Sequence, residues 1–295
     1  MYERLLVPLD GSLPAENVLP YVEELARRLG SEVILLTACR PNEPLDRPLR
    51  AYLERRASEL QSLEVKASAL VVQGDPAEEI LTFSEQNDIG LIAMSAYGRS
   101  SSGRWNLGSI ANKVLQRAHV PILLTRASSL DEALSQRKMS RVLVPLDGSP
   151  LAERVLPYVE GLVKGADSEV ILLRVLEPFV LPGYVEAFVE SVLEAEERKD
   201  WKQKREQERQ EEAKAYLSRL GDELRGKGLK VKEVLEVGEA AEGILEYAEA
   251  NSASLIVLSS HGRSGITRWV YGSVAAKVIE GSTKPIFLLR VGSRL

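Results

Sequence analysis

Two stretches of the sequence place a glycine-bearing loop directly before a Gly-Ser pair that can begin a helix. The same nine-residue spacing separates the two parts of each stretch: Gly98 from Gly108-Ser109, and Gly262 from Gly272-Ser273. Each stretch follows a short apolar run, which is typical of a buried parallel strand. A helix start of this kind offers backbone N–H groups and the positive end of the helix dipole to an anion. The pattern predicts a phosphate-binding loop, present twice; a simple turn with a helix entry is the alternative.

Four neighbouring residues could add to these anion sites. Ile110 and Val274 follow the Gly-Ser pairs and supply the next backbone donor of each helix. Arg99 and Arg263 directly follow the loop glycines, where a guanidinium could neutralise phosphate charge. An exposed surface arginine would fit these two positions almost as well. We therefore treat all four residues as predicted members of the sites, with that alternative open for the arginines.

An aspartate ends the first predicted strand of each copy, within the sequence Pro-Leu-Asp-Gly-Ser. The carboxylates of Asp10 and Asp147 could accept hydrogen bonds from the vicinal hydroxyls of a ribose, as acidic residues do in other doubly wound nucleotide sites. Asp-Gly-Ser is also a common turn composition, in which the aspartate binds nearby backbone. Ligands of open α/β sheets lie beyond the carboxyl ends of the strands. If strands one and four are neighbours, each aspartate faces the same crevice as its glycine loop.

The repeated features indicate two tandem domains. The sequence Pro8 to Ser12 recurs 137 residues later as Pro145 to Ser149, whereas the glycine loops lie 164 residues apart, so the second copy carries 27 additional residues. We predict a first domain over 1–127, a connector over 128–140, and a second domain over 141–295 with a helical insertion at about 181–226. The insertion mixes both charge signs densely, which is typical of a solvated helix face. A lid or a partner-docking arm is the alternative.

Strands and helices alternate in both copies, which is typical of a parallel sheet with helices on both faces. In the first copy the predicted strands are 4–9, 33–38, 66–72, 89–94 and 121–125, and the predicted helices are 15–29, 47–63, 76–86 and 109–117. Asp75 is the predicted N-cap of the third helix, with Pro76 in its first turn. The expected fold class is α/β, with two tandem, doubly wound, Rossmann-like sheets of five parallel strands each.

Composition narrows the classes of function. The chain has 295 residues, a formal net charge of -5 and a single cysteine, Cys39. This charge gives no support to binding of nucleic acid or an anionic membrane, and one cysteine excludes an intrachain disulfide. We find no secretory signal pattern and no apolar run that could span a bilayer, so we expect a cytoplasmic protein. Without a metal-ligand cluster, a repeated Ser-His-Asp set or a G-x-x-x-x-G-K-[ST] loop, we assign no catalytic and no metal-binding residue.

At this point the residues resemble the universal stress protein family in its tandem two-domain form. The resemblance rests on the opening strands that end in Asp-Gly-Ser and on the sequence Ser260 to Gly265. It also rests on the pattern G-x-x-G-x9-G-[ST], in which Ser95 and Ser259 stand in place of the first glycine. The resemblance implies the strand order 3-2-1-4-5 and ATP in the crevice where that order reverses. Where Mg²⁺ accompanies the nucleotide, the phosphates would be its main ligands.

The resemblance also implies a role for each matching residue. Asp10 and Asp147 would contact the ribose, and the backbone of Ala38 and Val175 would meet the adenine. The phosphates would be held by Gly98, Gly108, Ser109 and Ile110 in the first domain and by Gly262, Gly272, Ser273 and Val274 in the second. The fifth strands, at Ile122–Leu124 and Ile286–Leu288, would pair within the chain as family dimers commonly pair theirs. This gives an intrachain pseudo-dimer and leaves a homodimer open.

Three functions compete for this sequence. The first is an ATP-binding stress-response or regulatory module that is at most a weak ATPase. The second is an interaction protein that binds no nucleotide and meets an unknown protein partner through the helical insertion. The insertion and the missing first glycine motivate it. The third is a nucleotide-processing enzyme related to the ATP pyrophosphatases. It is disfavoured because that group has Ser-Gly-Gly-x-Asp-Ser after strand one, where this chain has Asp10 to Pro14.

Overall fold

The elements of the two domains follow one another in the same order along the chain. The computed structural model describes residues 1–39, 46–98, 107–126, 130–260 and 271–290. The first domain comprises β1 (Arg4–Pro8), α1 (Leu13–Glu16), α2 (Leu19–Leu29), β2 (Glu32–Cys39), α3 (Asp46–Ser62), β3 (Lys66–Gln73), α4 (Pro76–Gln86), β4 (Leu91–Ser95), α5 (Ser109–Arg117) and β5 (Ile122–Thr125). Helix α6 (Leu130–Gln136) lies in the predicted connector. The second domain comprises β6 (Arg141–Pro145), α7 (Pro150–Glu153), α8 (Leu156–Val163), β7 (Glu169–Leu176), α9 (Gly183–Val192), α10 (Ala195–Gly226), β8 (Lys230–Val237), α11 (Ala240–Ala250), β9 (Leu255–Ser259), α12 (Ser273–Gly281) and β10 (Ile286–Leu289).

The two domains share one ten-stranded sheet in the order β3-β2-β1-β4-β5-β10-β9-β6-β7-β8. Each half therefore has the predicted order 3-2-1-4-5. The halves join where β5 and β10 run antiparallel, with Ile286 opposite Leu124 and Leu288 opposite Ile122. The other neighbouring strands are parallel. The α/β class and the fifth-strand pairing within the chain are as predicted. This pairing makes the two five-stranded sheets continuous and covers the edges of two apolar strands, β5 and β10, which are fully buried. An apolar strand edge left open would be an aggregation site.

The core forms one apolar layer on each face of this sheet, and each layer runs through both domains. On one face an aromatic cluster joins the domains, with ring centroids 6.0–6.4 Å apart between Tyr2, Tyr158 and Phe287. The hydroxyl of Tyr2 also donates to the backbone oxygen of Tyr158 at 2.9 Å. The first strand of the first domain is therefore fixed against the second domain.

The starts of α4 and α2 are determined by the residues in and directly before their first turns. The Asp75 carboxylate accepts hydrogen bonds from Ala77 N (3.1 Å) and Glu78 N (3.3 Å), which confirms the predicted N-cap of α4. The helix predicted over 15–29 is instead split into α1 and α2. Pro20 lies in the first turn of α2, where its missing N–H costs nothing, so the proline favours a new helix start there.

The additional residues of the second copy lie before the helix that both copies share. In α3 the buried residues are Leu53, Ala57 and Leu60; α10 buries Leu217, Gly221 and Leu224, each 164 residues further along. The C-terminal half of α10 thus corresponds to α3, and the predicted insertion limits of 181–226 include it. The added part is α9 with the first half of α10, and we call residues 183–209 the helical arm. None of the helices in the described residues has the length and apolar character needed to cross a membrane.

Candidate functional site

Each domain has a cavity at the carboxyl ends of its first, second and fourth strands. The cavity of the first domain, site one, measures about 320 Å³, and that of the second domain, site two, about 360 Å³. Predicted residues that line site one are Asp10, Ala38, Gly98, Gly108, Ser109 and Ile110. Those that line site two are Asp147, Val175, Gly272, Ser273 and Val274. Arg99, Gly262 and Arg263 lie outside the described residues.

The aspartate and the glycine loop share a crevice because the first and fourth strands are neighbours. Leu5 lies opposite Leu91 in the β1–β4 pair, and Val142 lies opposite Leu255 in the β6–β9 pair. The approach is close in site one, where a Cβ on Gly98 would lie 2.7 Å from Oδ2 of Asp10. Only glycine allows the loop backbone to come so near this carboxylate.

One oxygen of each aspartate is used by the turn that follows it. Oδ1 of Asp10 accepts hydrogen bonds from the backbone N (2.9 Å) and the Oγ (2.5 Å) of Ser12, which is the N-cap of α1. Asp147 makes the same contacts with Ser149, at 2.9 and 2.6 Å. The intervening Gly148 has a φ of 85°, a left-handed conformation that favours glycine. The turn reading of Asp-Gly-Ser is therefore correct, and it fixes each carboxylate at the cavity wall.

Helices α5 and α12 begin at the cavities without a capping side chain. Their N-caps are Gly108 and Gly272, and neither helix has a side-chain cap hydrogen bond among the described residues. Each glycine is held by its own N–H, which donates to Ala96 O at 2.9 Å in site one and to Ser260 O at 2.8 Å in site two. The first-turn N–H groups of both helices, together with the positive dipole ends, thus border the cavities.

The remaining walls of both cavities are largely apolar. Ile80 and Met94 line site one, and Ile244 and Leu258 occupy the corresponding positions in site two. All four side chains are buried, with 2–6% of their surface exposed. Each site therefore combines an apolar wall, a fixed carboxylate and a helix N-terminus, which is a suitable set of partners for a ligand with a flat apolar group, hydroxyls and an anionic tail.

Two arginines that were not predicted from the sequence form hydrogen bonds between the domains. Each follows the fifth strand of one domain and donates to a helix end of the other. Arg126 follows β5 and donates from Nη2 to Ile279 O in the last turn of α12. Arg290 follows β10 and donates from Nη1 to Ala118 O, the C-cap of α5, at 3.1 Å. Burial lowers the pKa of the Arg126 guanidinium, and a hydrogen bond with Tyr97 of site one partly offsets this effect. The 164-residue offset between the two arginines was the signal that could have revealed them.

Site two differs from site one in its charged lining. The lining of site two includes Arg174, Glu177 and Arg209 in addition to Asp147. Among the described residues that line site one, Asp10 is the only charged side chain. Sequence reasoning missed this difference, although Arg174 and Thr37 are related by the 137-residue offset within matching strands. In the part of the chain that the structure describes, we find no cluster of three or more His, Cys, Asp or Glu side chains that could hold a metal ion.

The fold and sites define a duplicated, doubly wound α/β protein with a ligand-sized cavity at each point where strand order reverses. The model of the universal stress protein family matches residues 1–126 and 139–290, so the chain belongs to that family. A universal stress protein of Methanocaldococcus jannaschii is 32% identical over 158 residues, which are 51% of this chain and 94% of that protein. One from Mycolicibacterium smegmatis is 27% identical over 204 residues, 68% of this chain and 61% of that protein.

The whole architecture is also found in a solved structure. A universal stress protein from Archaeoglobus fulgidus superposes with a TM-score of 0.71, covering 98% of this chain and 99% of the other at 22% identity. At this identity the likeness concerns the fold alone. The tandem arrangement of two such domains in one chain is therefore shared with this relative.

Proposed function

We propose that this protein binds an adenine nucleotide, with ATP as the primary ligand, in each of its two sites. It would serve as a stress-response or regulatory module with slow hydrolysis at most. The observation that carries the proposal is the doubled convergence of a fixed carboxylate, an apolar wall and an uncapped helix start on one cavity. Both copies keep this set of parts although other residues that line the two cavities differ, which favours a binding function.

Each part of the site matches one part of the ligand. The first-turn N–H groups of α5 and α12 are suited to phosphate oxygens, and Asp10 and Asp147 are placed to accept hydrogen bonds from ribose hydroxyls. Ile80 and Met94, or Ile244 and Leu258, offer apolar surface to the base. The cavity volumes fall at the lower end of the roughly 300–1,000 Å³ found for small-molecule sites. Mg²⁺ would enter with the triphosphate and be held mainly by its oxygens.

Isothermal titration of the full chain with ATP and Mg²⁺ tests the proposal. We expect two nucleotides per chain in the unmodified protein and one in the variants Gly108→Val and Gly272→Val. At Gly108 a Cβ would already lie 3.3 Å from Ala96 O, so a branched side chain must disturb the helix start. Gly183→Val is the matched control, because a Cβ at this exposed position has nothing within 4 Å. Absence of a heat signal at millimolar nucleotide would reject the proposal.

A second candidate function is supported by the helical arm. Tyr184, Phe188 and Val192 recur at helical spacing on α9 and are 81%, 66% and 61% exposed. Exposed apolar side chains in a row favour a contact with a protein partner. Deletion of the whole predicted insertion would remove a core helix, so Tyr184→Ser with Phe188→Ser is the better test. Loss of partner recovery in a pull-down supports this function, and unchanged recovery counts against it.

A further inference from the structure

We propose that site two, besides binding ATP, binds adenine nucleotides with an additional phosphate on the ribose more tightly because of Arg174, whereas site one has no such preference. This inference rests on the proposed function and adds a difference between the sites. The two cavities share their aspartate, their helix start and their apolar wall. The charged lining is the feature in which they differ.

Arg174 lies beside the predicted ribose position of site two. It is on β7, which pairs with β6 so that Pro145 lies opposite Leu173, and it lines the same cavity as Asp147. Its Nη1 and Nη2 atoms lie 2.6 and 3.0 Å from the point that a Cβ on Gly148 would occupy. The guanidinium therefore lies against the residue that directly follows Asp147.

The position of the guanidinium is fixed by an aromatic ring of α10. Its Cζ lies 5.1 Å from the ring centroid of Tyr216, a cation–π distance. Burial raises the pKa of the Tyr216 phenol, with a further contribution from the charge of Glu153, so the ring stays neutral near pH 7. A guanidinium held in this way loses little freedom when it binds a ligand, because its plane is already oriented.

Site one lacks a corresponding cation in its described lining. Thr37 occupies the position of Arg174, and its buried hydroxyl donates to Leu9 O at 2.6 Å. The described lining of site one thus carries the single negative charge of Asp10. In site two Arg174 adds a guanidinium beside Asp147, whereas Arg209, which lines the same cavity, forms an ion pair with Glu206 at 3.0 Å. A phosphate on the ribose would therefore meet a guanidinium in site two and a neutral threonine at the corresponding position of site one.

The chemistry of a phosphorylated ribose fits this pair of residues. A 2′- or 3′-phosphate leaves one hydroxyl, which Asp147 can still bind, and places two anionic oxygens within reach of a planar fork of donors. Arginine binds such oxygens through two parallel charge-assisted hydrogen bonds. In dinucleotide sites of doubly wound folds, an arginine near the ribose likewise accommodates a 2′-phosphate.

Binding of adenosine 2′,5′-bisphosphate and adenosine 3′,5′-bisphosphate, each compared with adenosine 5′-monophosphate, tests the inference at fixed salt. The Gly108→Val variant isolates site two, and the Gly272→Val variant isolates site one. We expect site two to prefer at least one bisphosphate by roughly ten- to a hundredfold, as a charged hydrogen bond allows. Site one should bind the bisphosphates no better than the monophosphate.

Arg174→Thr, which restores the residue of site one, should reduce the preference of site two to near unity. Arg174→Lys keeps the charge without the fork and should retain an intermediate preference. Because the preference is a ratio within one variant, a general loss of folded protein does not imitate it. Tight monophosphate binding without any bisphosphate preference at site two overturns this inference alone. Failure of every nucleotide to bind either single-site variant and the unmodified protein overturns the proposed function as well.

Discussion

Arg126 should stabilise the junction of the two domains, and replacement by methionine tests this role. Its side chain is only 5% exposed, and its Nη2 donates to Ile279 O in the last turn of α12. Methionine keeps most of the apolar stem and removes the donors, so the change leaves a buried helix-end carbonyl without its charged partner. We expect the free energy of unfolding to fall.

The magnitude follows from two opposing effects. A hydrogen bond from a charged donor contributes about 1.5–3 kcal/mol, and the attraction of a cation to a helix C-terminus is part of the same contact. Against this, burial of the guanidinium is costly, and its Nε lacks a hydrogen-bond partner among the described residues. We expect Arg126→Met to lose roughly 1–3 kcal/mol. Arg290→Met should lose less, about 0.5–1.5 kcal/mol, because that side chain is only half-buried.

Urea unfolding followed by circular dichroism measures both values, with the slope of the transition as a check that the unfolded surface is unchanged. The two arginines share no partner in the described contacts, so the double variant should show additive losses within about 0.5 kcal/mol. If Arg126→Met is as stable as the unmodified protein or more stable, the desolvation of the charge outweighs its contacts, and our reasoning about the junction is wrong.

Two further predictions concern single carboxylates. Asp10→Asn keeps an oxygen for the Ser12 contacts, so its free energy of unfolding should stay within about 0.5 kcal/mol of the unmodified protein. Its affinity for ATP at site one should fall roughly tenfold, because the charged acceptor is lost. Asp10→Ala should lower both the free energy of unfolding and the ATP affinity. Calorimetry and urea unfolding on the same samples separate these effects, and equal ATP binding by all three proteins would contradict the ribose assignment. Partial burial alone would raise the pKa of Glu249, but hydrogen bonds from Thr283 and Lys284 hold it below its ordinary value of 4.5. The contribution of Glu249 to the free energy of unfolding is therefore complete above that value and is lost as the pH falls through the lowered pKa. In Glu249→Gln the urea midpoint should therefore decline less steeply below about pH 5. A decline as steep as that of the unmodified protein would refute this prediction.

The architecture could be predicted from the sequence because the same pattern of strands, turns and loops occurs twice in it. Buried parallel strands read as apolar runs, and the Asp10 and Asp147 turns marked the same strand end at a constant offset. Helix α5 was predicted with its observed limits, since Gly108 marks its start and Pro121 lies shortly beyond its end. The break between α1 and α2 was missed because the apolar spacing continues through it, and spacing does not register a missing N–H at Pro20.

The differences between the sites were not predicted, and the reason is physical. A periodic pattern shows which face of an element is buried but not which groups of distant elements meet there. Arg174, on β7, contacts the ring of Tyr216 and shares a cavity with Arg209 because α10 packs against that strand. The reach of Arg126 to Ile279 depends in the same way on the pairing of β5 with β10. Both contacts require the assembled sheet before they can be seen.

The arrangement of the sheet also explains why an insertion between β7 and β8 leaves the junction of the domains intact. The strands β5 and β10 lie at the centre, and the strands β3 and β8 lie at the two outer edges. The helical arm follows β7 and leads through α10 to β8, so it is attached at an outer edge of the sheet. In the strand order, β7 and β8 lie four and five positions from β5, the nearest strand of the first domain. An insertion at the end of β4 or β9 would instead fall next to the central pair and to the arginines that bind the ends of α5 and α12. Length added beside an outer edge can therefore change what site two binds without changing how the domains join.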